Sequence, residues 1–301
     1  MIPNYPRFKK ITVRDKRIID RFVSRYDPYS DFNFVSLYSW NTDKNTALSR
    51  LNGNLVIRLK DYTGDGVTYS ILGETKLQES IQTLLKSLPR NGTLKLIPHI
   101  VADRINRSEI PSDIALDEDR DNHDYVYELD TIANLQGNDF KKKRNMIKTF
   151  RTKYPEAVFE ILDLGNKQHR KQIMDLVHEW VAAKDTSLNE DEVLGLQNVF
   201  ALHKHIYATG LRHQDRLIGF SIVEHLHNNF AMIHYEKTNH DYPGVTEHLM
   251  VETARHLRGN GITHLNFEQD LGVLNLRTNK SLWRPAKFLK KYRVAHQGSD
   301  R

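Results

Sequence analysis

Residues 230–270 limit most strongly what this chain can fold into. Alternating apolar and polar residues predict a strand over Phe230–Lys237, and helical periodicity predicts a helix from Thr246 to Arg258. A second strand is expected over His264–Asp270. The turn before the helix reads Asp241-Tyr-Pro-Gly-Val-Thr246. A glycine-containing turn that leads into a helix directs unpaired backbone N–H groups at one place, so it predicts a site for an anion.

The elements predicted around this segment follow one order twice. In the second half they are strand 158–164, helices 168–184 and 189–209 (the latter closed by Gly210), strands 217–224 and 230–237, helix 246–258, strand 264–270, helix 274–281 and a strand near 288–294. In the first half they are strand 8–12, helices 15–26 and 31–40, strands 46–51, 55–60 and 68–72, helix 76–87 and strand 93–98. Two copies of one α/β unit suit a chain of 301 residues better than a single large fold.

We therefore predict one domain over residues 1–130 and a second over residues 131–301, with a basic helix over 139–154 at the joint. The two copies differ at the turn between strand and helix. The first copy has Gly73-Glu-Thr-Lys76 there, without a second glycine for a phosphate-cradling loop. The N-terminal copy is thus predicted to be degenerate, and the C-terminal copy to carry the chemistry.

The order strand, two helices, three strands, helix, strand resembles the Gcn5-related N-acetyltransferase (GNAT) fold. The resemblance implies an α/β (α+β) chain of two tandem GNAT-like domains, each a mixed, mostly antiparallel sheet flanked by helices. The acyl-CoA turn of that fold usually reads Arg/Gln-x-x-Gly-x-Gly/Ala. Here Gly244 matches the central glycine, whereas Asp241 replaces the Arg or Gln and Thr246 replaces the second small residue. The resemblance implies that Asp241, Gly244, Val245 and Thr246 bind the donor, although an acidic side chain repels a diphosphate.

Longer strings resemble one branch of this fold. They are Tyr29-Ser-Asp-Phe-Asn-Phe34 with Trp40, Glu118-Asp-Arg-Asp-Asn-His-Asp-Tyr125, Leu135-Gln-Gly-Asn-Asp-Phe-Lys-Lys-Lys-Arg-Asn145, and Glu268-Gln-Asp-Leu-Gly272 followed by Leu276, Arg277, Lys280 and Pro285. Together they are similar to the soluble family related to the C-terminal domain of lysylphosphatidylglycerol synthase, from about Pro6 to Val294.

This resemblance implies an acyl- or aminoacyltransferase. Lysylphosphatidylglycerol synthase moves lysine from lysyl-tRNA to a lipid headgroup, and the similar Fem-type enzymes move amino acids from tRNA to a peptidoglycan precursor. The many membrane helices of the lipid enzyme have no counterpart in this sequence. A lipid acceptor would therefore have to be reached from the cytosol.

Polar residues on the two strands of the opening segment are the catalytic candidates. Period-two alternation places His234 and Glu236 on one face of their strand. In the next strand it places on one face His264, Asn266, Glu268 and Asp270. Side-by-side strands, as in GNAT proteins, would bring both faces above the Gly244 turn. Aminolysis of an ester needs a base and oxyanion donors, which points to Glu236 and Glu268 with His234 beside them, and to the amides of residues 234–237. The alternative is a solvated sheet face or a salt-bridged cluster.

Two groups of cations are candidate substrate-binding residues, together with Asn266 and Asp270. Arg277 and Lys280 lie on one side of a predicted helix, where they suit a phosphate or a carboxylate. The run Lys141, Lys142, Lys143 and Arg144 suits a tRNA phosphate backbone. In both cases the alternative is a solvated helix face.

Composition restricts the chemistry further. The sequence has no cysteine, which excludes disulfides and thiolate nucleophiles. The net charge of +6 favours anionic partners such as tRNA, an anionic small molecule or a lipid headgroup. The pairs His203/His205 and His225/His227 lack a third ligand nearby in sequence, so no metal site is predicted. No signal peptide or membrane-spanning run is found, which favours a cytoplasmic location.

The working hypothesis is an aminoacyl- or acyltransferase acting on an amine or hydroxyl acceptor. Direct attack in a ternary complex is expected, because the sequence has neither a cysteine nor a nucleophile elbow. No cofactor is required, and acyl-CoA or aminoacyl-tRNA is the donor substrate. The alternatives are an acetyl-CoA-dependent N-acetyltransferase and a non-catalytic protein that binds a ligand or RNA.

Overall fold

The computed structural model describes residues 1–61, 66–89, 92–105, 111, 113–182 and 189–296. The chain divides into two compact units. Unit 1 comprises residues 1–125, 269–282 and 288–301, and unit 2 comprises residues 126–268 and 283–287. By this division the chain after residue 268 belongs mostly to unit 1. Among the described residues, no helix combines the length and the apolar character that crossing a bilayer requires.

Most of the predicted elements are present, but the strands at 114–118, 124–128 and 207–213 and the helices at 99–103 and 129–134 were not predicted. In the first half the elements are β1 (Lys9–Lys10), α1 (Lys16–Val23), α2 (Phe34–Ser39), β2 (Ala47–Leu51), β3 (Asn54–Lys60), β4 (Val67–Leu72), α3 (Leu77–Lys86), β5 (Leu94–Pro98), α4 (His99–Asp103) and β6 (Ile114–Glu118). They continue with β7 (Asp124–Glu128), α5 (Leu129–Asn134), α6 (Lys141–Lys153), β8 (Val158–Leu162), α7 (Lys167–Ala182), α8 (Asn189–Phe200) and β9 (Tyr207–His213). The last are β10 (Arg216–His225), β11 (Phe230–Thr238), α9 (Val245–Gly259), β12 (His264–Asn266), α10 (Leu274–Ser281), β13 (Lys287–Leu289) and β14 (Lys291–His296). The end of predicted helix 168–184 lies outside the described residues.

Unit 1 contains two sheets. The strands β1-β2-β3-β4 form one sheet, and β5-β14-β6 form the other, in which the C-terminal strand β14 is antiparallel to both neighbours. The core of unit 1 is built from aliphatic and aromatic side chains at the buried positions of these strands and of α1 and α2. It includes Ile19, Phe34, Leu48, Ile57 and Ile71.

Unit 2 is organised around one sheet with the strand order β7-β12-β11-β10-β9-β8. Neighbouring strands are antiparallel except β11 and β12, which are parallel. Helix α9 lies on this sheet because Val245 and Leu249, one turn apart, share an apolar face. Both pack against Phe150 of α6, Leu211 of β9 and Ile218 of β10.

Two sequence predictions in unit 2 were wrong. Helix α8 ends at Phe200; residues 201–205 form turns, and residues 207–209 of the predicted helix begin strand β9 instead. Gly210 is therefore not a helix cap. It lies within β9, where a Cβ atom would come 3.0 Å from the side chains of Leu162 and Leu217, so tertiary packing accounts for the glycine.

The second error concerns the strand predicted over residues 264–270, since β12 ends at Asn266. The Asn266 side chain accepts a hydrogen bond of 2.7 Å from the backbone N–H of Glu268, and Glu268 has a φ of +52°. Asparagine commonly bends the chain in this way, because its side chain mimics a backbone acceptor. The face predicted to hold His264, Asn266, Glu268 and Asp270 is therefore not formed.

Gly244 directly precedes α9 and is confined by α6. Its φ is +88°, and a Cβ atom there would come 2.4 Å from the carbonyl oxygen of Met146. We expect Gly244→Ala to destabilise the fold by about 2–4 kcal/mol, because it combines a left-handed backbone with a backbone clash. Urea unfolding measures the change. Gly259→Ala is the matched control: no heavy atom lies within 4 Å of its Cβ position and no positive φ is recorded, so its change should stay within about 1 kcal/mol.

Candidate active site

Strands β11 and β12 stay paired only at their first residues. The parallel register joins Phe230 to His264, Ala231 to Leu265 and Met232 to Asn266, where β12 ends. Strand β11 continues to Thr238. Its edge beyond Met232 therefore lacks β12 as a ladder partner.

A β-bulge in β11 changes the direction of its side chains just beyond Met232. Tyr235 pairs with Ile222 and Ile233 pairs with Val223, so His234 is the extra residue between them. Bulges change side-chain direction and often lie beside functional sites. The bulge places a polar residue in the interior of the sheet region, since the His234 side chain has no exposed surface.

His234 lies between two carboxylates. Its Nε2 atom is 3.3 Å from Oε2 of Glu224 on β10, and its Nδ1 atom is 3.1 Å from Oε1 of Glu268, which follows β12. Burial by itself lowers the pKa of His234, but the hydrogen bonds with Glu224 and Glu268 outweigh burial and raise the pKa to about 9. At neutral pH the ring is an imidazolium that donates to both carboxylates.

This arrangement separates the roles of the three residues. Both nitrogens of His234 are engaged, so His234 is not placed to take a proton from a substrate. Glu224 is 3% exposed, whereas the side chain of Glu268 is 16% exposed. Glu268 is thus the member that reaches solvent, and the buried His234 holds its carboxylate.

Glu236 belongs to a second polar group in unit 2. Its carboxylate accepts a hydrogen bond of 2.8 Å from the hydroxyl of Ser221 on β10. Its charge also acts on Lys143 of α6, whose ammonium lies 3.8 Å from the centre of the Trp283 ring and 4.0 Å from a carboxylate oxygen of Glu247. Burial lowers the pKa of Lys143 more than these carboxylates raise it.

The four cations at the start of α6, residues 141–144, lie in different surroundings in the folded chain. Lys141 and Lys142 are exposed, whereas Lys143 is buried in the group just described. Arg144 donates to the carbonyl oxygens of Leu135 (2.5 Å) and Gly137 (2.7 Å). The four predicted substrate-binding cations therefore occupy three different environments.

The predicted donor-binding turn is partly covered by α6. Asp241 is exposed, and its carbonyl lies 3.5 Å from the hydroxyl of Tyr154. The hydroxyls of Thr246 and Thr238 lie 2.7 Å apart. Val245 is in the apolar core, and the Met146 carbonyl lies against Gly244. A carbonyl oxygen beside the turn disfavours a diphosphate there, because both carry negative charge.

The remaining predicted site residues belong to unit 1 and form a network there. The guanidinium of Arg277 donates to both carboxylate oxygens of Asp270, at 2.9 and 2.7 Å, and to Asp121 at 2.6 Å. Tyr125 donates to Asp270 at 2.6 Å, and Lys280 donates to the carbonyl of Gln269 at 2.7 Å. Burial raises the pKa of Asp270, but these hydrogen bonds outweigh burial and lower it. Arg277 and Lys280 thus have internal partners.

Sequence reasoning missed Glu224, Ser221 and Trp283. A signal for Glu224 was present, because it follows Ile218, Phe220 and Ile222 at alternate positions, where a buried apolar residue is expected. Ser221 and Trp283 gave no such signal. Only the register of β10 with β11 and the packing of α6 bring them to Glu236 and Lys143.

The sequence matches one protein family along most of its length. A family model described as "Phosphatidylglycerol lysyltransferase, C-terminal" matches residues 24–295. The chain belongs to this family. Membership indicates an enzyme of the acyl- or aminoacyltransferase class, and the resemblance noted in the sequence is confirmed. No curated protein matches the chain.

Three solved structures share the fold along nearly the whole chain. A conserved protein of unknown function from Bacteroides thetaiotaomicron is 23% identical, with a TM-score of 0.82 over 99% of this chain and all of that one. The C-terminal domain of a putative lysylphosphatidylglycerol synthetase from Agrobacterium fabrum is 14% identical, with a TM-score of 0.65 over 95% of this chain and 93% of that one. FemX is 10% identical, with a TM-score of 0.54 over 95% and 96%. The fold is GNAT-like, with mixed α/β units and sheets rich in antiparallel pairs.

The pH dependence of unfolding tests the His234 cluster. A pKa raised from 6.5 to about 9 adds stability that is complete below pH 6.5 and is lost as the pH rises through 9. At about 1.4 kcal/mol per pKa unit, the loss approaches about 3 kcal/mol. His234→Gln should remove this loss between pH 6.5 and 9.5, measured by urea unfolding.

His248→Gln is the control. Burial lowers the pKa of His248 to about 4, against the weaker effect of Glu252, so the titration of His248 affects stability only below pH 6.5. This variant should keep the loss above pH 6.5. Equal behaviour of the two variants would contradict the assignment.

Proposed function

We propose that this chain is an aminoacyltransferase, which moves an aminoacyl group from a carrier such as aminoacyl-tRNA to an amine or hydroxyl acceptor. The acceptor class is a lipid headgroup or a cell-wall precursor. The observation that carries the proposal is the partly exposed Glu268, held by buried His234 where β11 leaves β12. The family adds the reaction class, because its description names lysyl transfer to phosphatidylglycerol.

The chemistry needs a base and a way to stabilise negative charge. The acceptor N–H or O–H loses its proton to a carboxylate, either Glu268 or Glu236, while its electron pair attacks the ester carbonyl carbon. The carbonyl oxygen becomes an oxyanion, for which backbone N–H groups of residues 234–237 on β11 are the proposed donors. When the oxyanion collapses, the bond to the carrier oxygen breaks, and that oxygen receives the proton.

His234 holds the carboxylate of Glu268 in place without entering the reaction. The Nδ1 atom of His234 lies 3.1 Å from a carboxylate oxygen of Glu268. Glu224 on the opposite side keeps the imidazole protonated. Glu224 thus holds His234, and His234 in turn holds Glu268. Of the three residues, only Glu268 touches the substrate.

The surroundings of Gly244 support an aminoacyl ester rather than acyl-CoA as the donor. The exposed carboxylate of Asp241 and the carbonyl of Met146 both border the turn where acyl-CoA would place its diphosphate. Lys141 and Lys142 are exposed on α6 and available to a phosphate backbone.

We also propose that the chain is a tandem of two GNAT-like domains divided near residue 130. The order β8, α7, α8, β9, β10, β11, α9, β12 in unit 2 matches β1, α1, α2, β2, β3, β4, α3, β5 in the first half. The first half has Gly73-Glu-Thr-Lys76 at the place of the Gly244 turn. On this proposal the catalytic carboxylates Glu236 and Glu268 belong to the second copy.

Carboxylate variants test the proposed base. We expect Glu268→Gln, Glu236→Gln or both to lower kcat for deacylation of charged tRNA by about 10²–10⁴-fold, because a neutral amide accepts no proton. The KM for the donor should change little. Glu156→Gln is the control, since Glu156 is exposed on the same unit. Unchanged turnover in both site variants, with acceptor present, would exclude carboxylate base catalysis here.

Charge reversal on α6 tests whether tRNA is the carrier of the donor group. Lys141→Glu with Lys142→Glu should weaken tRNA binding and reduce the slope of log affinity against log salt by about 2, one for each lost phosphate contact. Filter binding across a salt series measures both quantities. The control reverses the exposed Lys10 and Lys86 of unit 1. An equal effect in both double variants would mean that net charge, not α6, governs binding.

A further inference from the structure

Lys143 occupies a position on α6 where an apolar residue is expected. The buried residues of this helix are Lys143, Ile147 and Phe150, whose spacing places them on one face. Phe150 belongs to the apolar core of unit 2. Lys143 is only 8% exposed. Removing an ammonium from water is unfavourable unless the charge is paired or hydrogen-bonded, so a lysine on this face needs a physical reason.

Close pairing does not supply that reason. In the described part of the chain the Lys143 ammonium forms no hydrogen bond, and its ion pair with Glu247 is 4.0 Å long, beyond hydrogen-bonding distance. Its Nζ atom lies 3.8 Å from the centre of the Trp283 ring. Nζ is not one of the enclosed side-chain atoms without a hydrogen bond, so it reaches solvent. An ammonium has three N–H donors, and those of Lys143 are therefore open to a bound group.

The surroundings of Lys143 suit it to giving up a proton. Burial lowers its pKa, Lys142 lowers it further, and the charges of Glu247 and Glu236 raise it by less. A lysine that loses its proton more readily is a better acid near neutral pH. The Trp283 ring faces the ammonium and holds it in place by a cation–π contact.

Lys143 also lies within the electrostatic reach of a candidate base. The charge of Glu236, which accepts a hydrogen bond from Ser221, acts on Lys143. In the proposed reaction a carboxylate takes a proton from the acceptor, so it cannot give one to the carrier oxygen in the same step. A separate acid is needed there, because an alkoxide is a poor leaving group.

We propose that Lys143 is the general acid of the transfer, which donates a proton from Nζ to the carrier oxygen as the ester bond breaks. This role rests on the proposed aminoacyl transfer. The electron pair of the broken C–O bond stays on the carrier oxygen, which takes the Lys143 proton and leaves as a hydroxyl. The acceptor proton held by Glu236 then passes to the neutral amine of Lys143, because an amine is the stronger base. Both residues thereby regain their starting states.

Two donors that carry the same amino acid test this role. The tRNA oxygen needs a proton to leave, whereas p-nitrophenolate leaves as an anion. Lys143→Met should lower kcat for deacylation of charged tRNA by about 10²–10⁴-fold, but for the p-nitrophenyl aminoacyl ester by less than about tenfold. Methionine keeps the apolar contact with Trp283 and removes a buried charge, so the melting temperature should not fall. Turnover of the p-nitrophenyl ester also reports that the variant is folded.

A second variant separates proton donation from charge. Lys143→Arg keeps the positive charge, but a guanidinium does not give up a proton. This variant should therefore lose turnover of charged tRNA as Lys143→Met does. Lys148→Met is the matched control, because Lys148 is exposed on the same helix. Its kcat should equal that of the natural chain with both donors.

The outcomes distinguish this role from the transfer itself. Equal losses with both donors in Lys143→Met, or full turnover of charged tRNA by Lys143→Arg, would overturn the role of Lys143 and leave the transfer proposal standing. A natural chain that deacylates neither donor would overturn the transfer proposal and this role together.

Discussion

The short parallel pairing between β11 and β12 is the constraint on which the candidate site depends. After Met232 pairs with Asn266, the Asn266 side chain turns the chain and β12 ends, while β11 continues. One strand edge is thereby opened, and the carboxylate of Glu268 is placed near it through His234. If β12 continued as a regular strand, its backbone would pair with β11 beyond Met232, and Glu268 would not turn toward His234.

Each unit also contains ionised groups that are buried together. In unit 2 the imidazolium of His234 lies between Glu224 and Glu268. In unit 1 Lys291 has no exposed surface and lies 2.7 Å from Asp124, with Asp31 as a second partner; burial lowers its pKa, but the two carboxylates outweigh burial and raise it. Removing charges from water costs several kcal/mol per ion, so these clusters persist only because every member is paired.

The basic run at the start of α6 illustrates how tertiary structure redistributes a sequence signal. Four consecutive cations look equivalent in the sequence, and together they suggest one phosphate-binding patch. The helix turns each residue by about 100°, so neighbours face different surroundings. Lys143 enters an aromatic and carboxylate environment, Arg144 binds carbonyl groups, and Lys141 and Lys142 stay exposed.

The periodicities of the sequence were enough to predict most of the elements and the α9 boundaries within a residue, because burying one face imposes period 2 on strands and 3.6 on helices. The GNAT-like fold was predicted from the resemblance of the element order to a known family. The sequence also provided Glu236, Glu268 and His234 as candidate residues. Only the tertiary structure decided that Gly210 lies in a strand and that His234 bulges between two carboxylates. It also decided that Arg277 pairs with the buried carboxylate of Asp270 and that Lys280 is buried against the Gln269 carbonyl. These features depend on strand register and on partners far away in sequence, and local patterns carry no information about either.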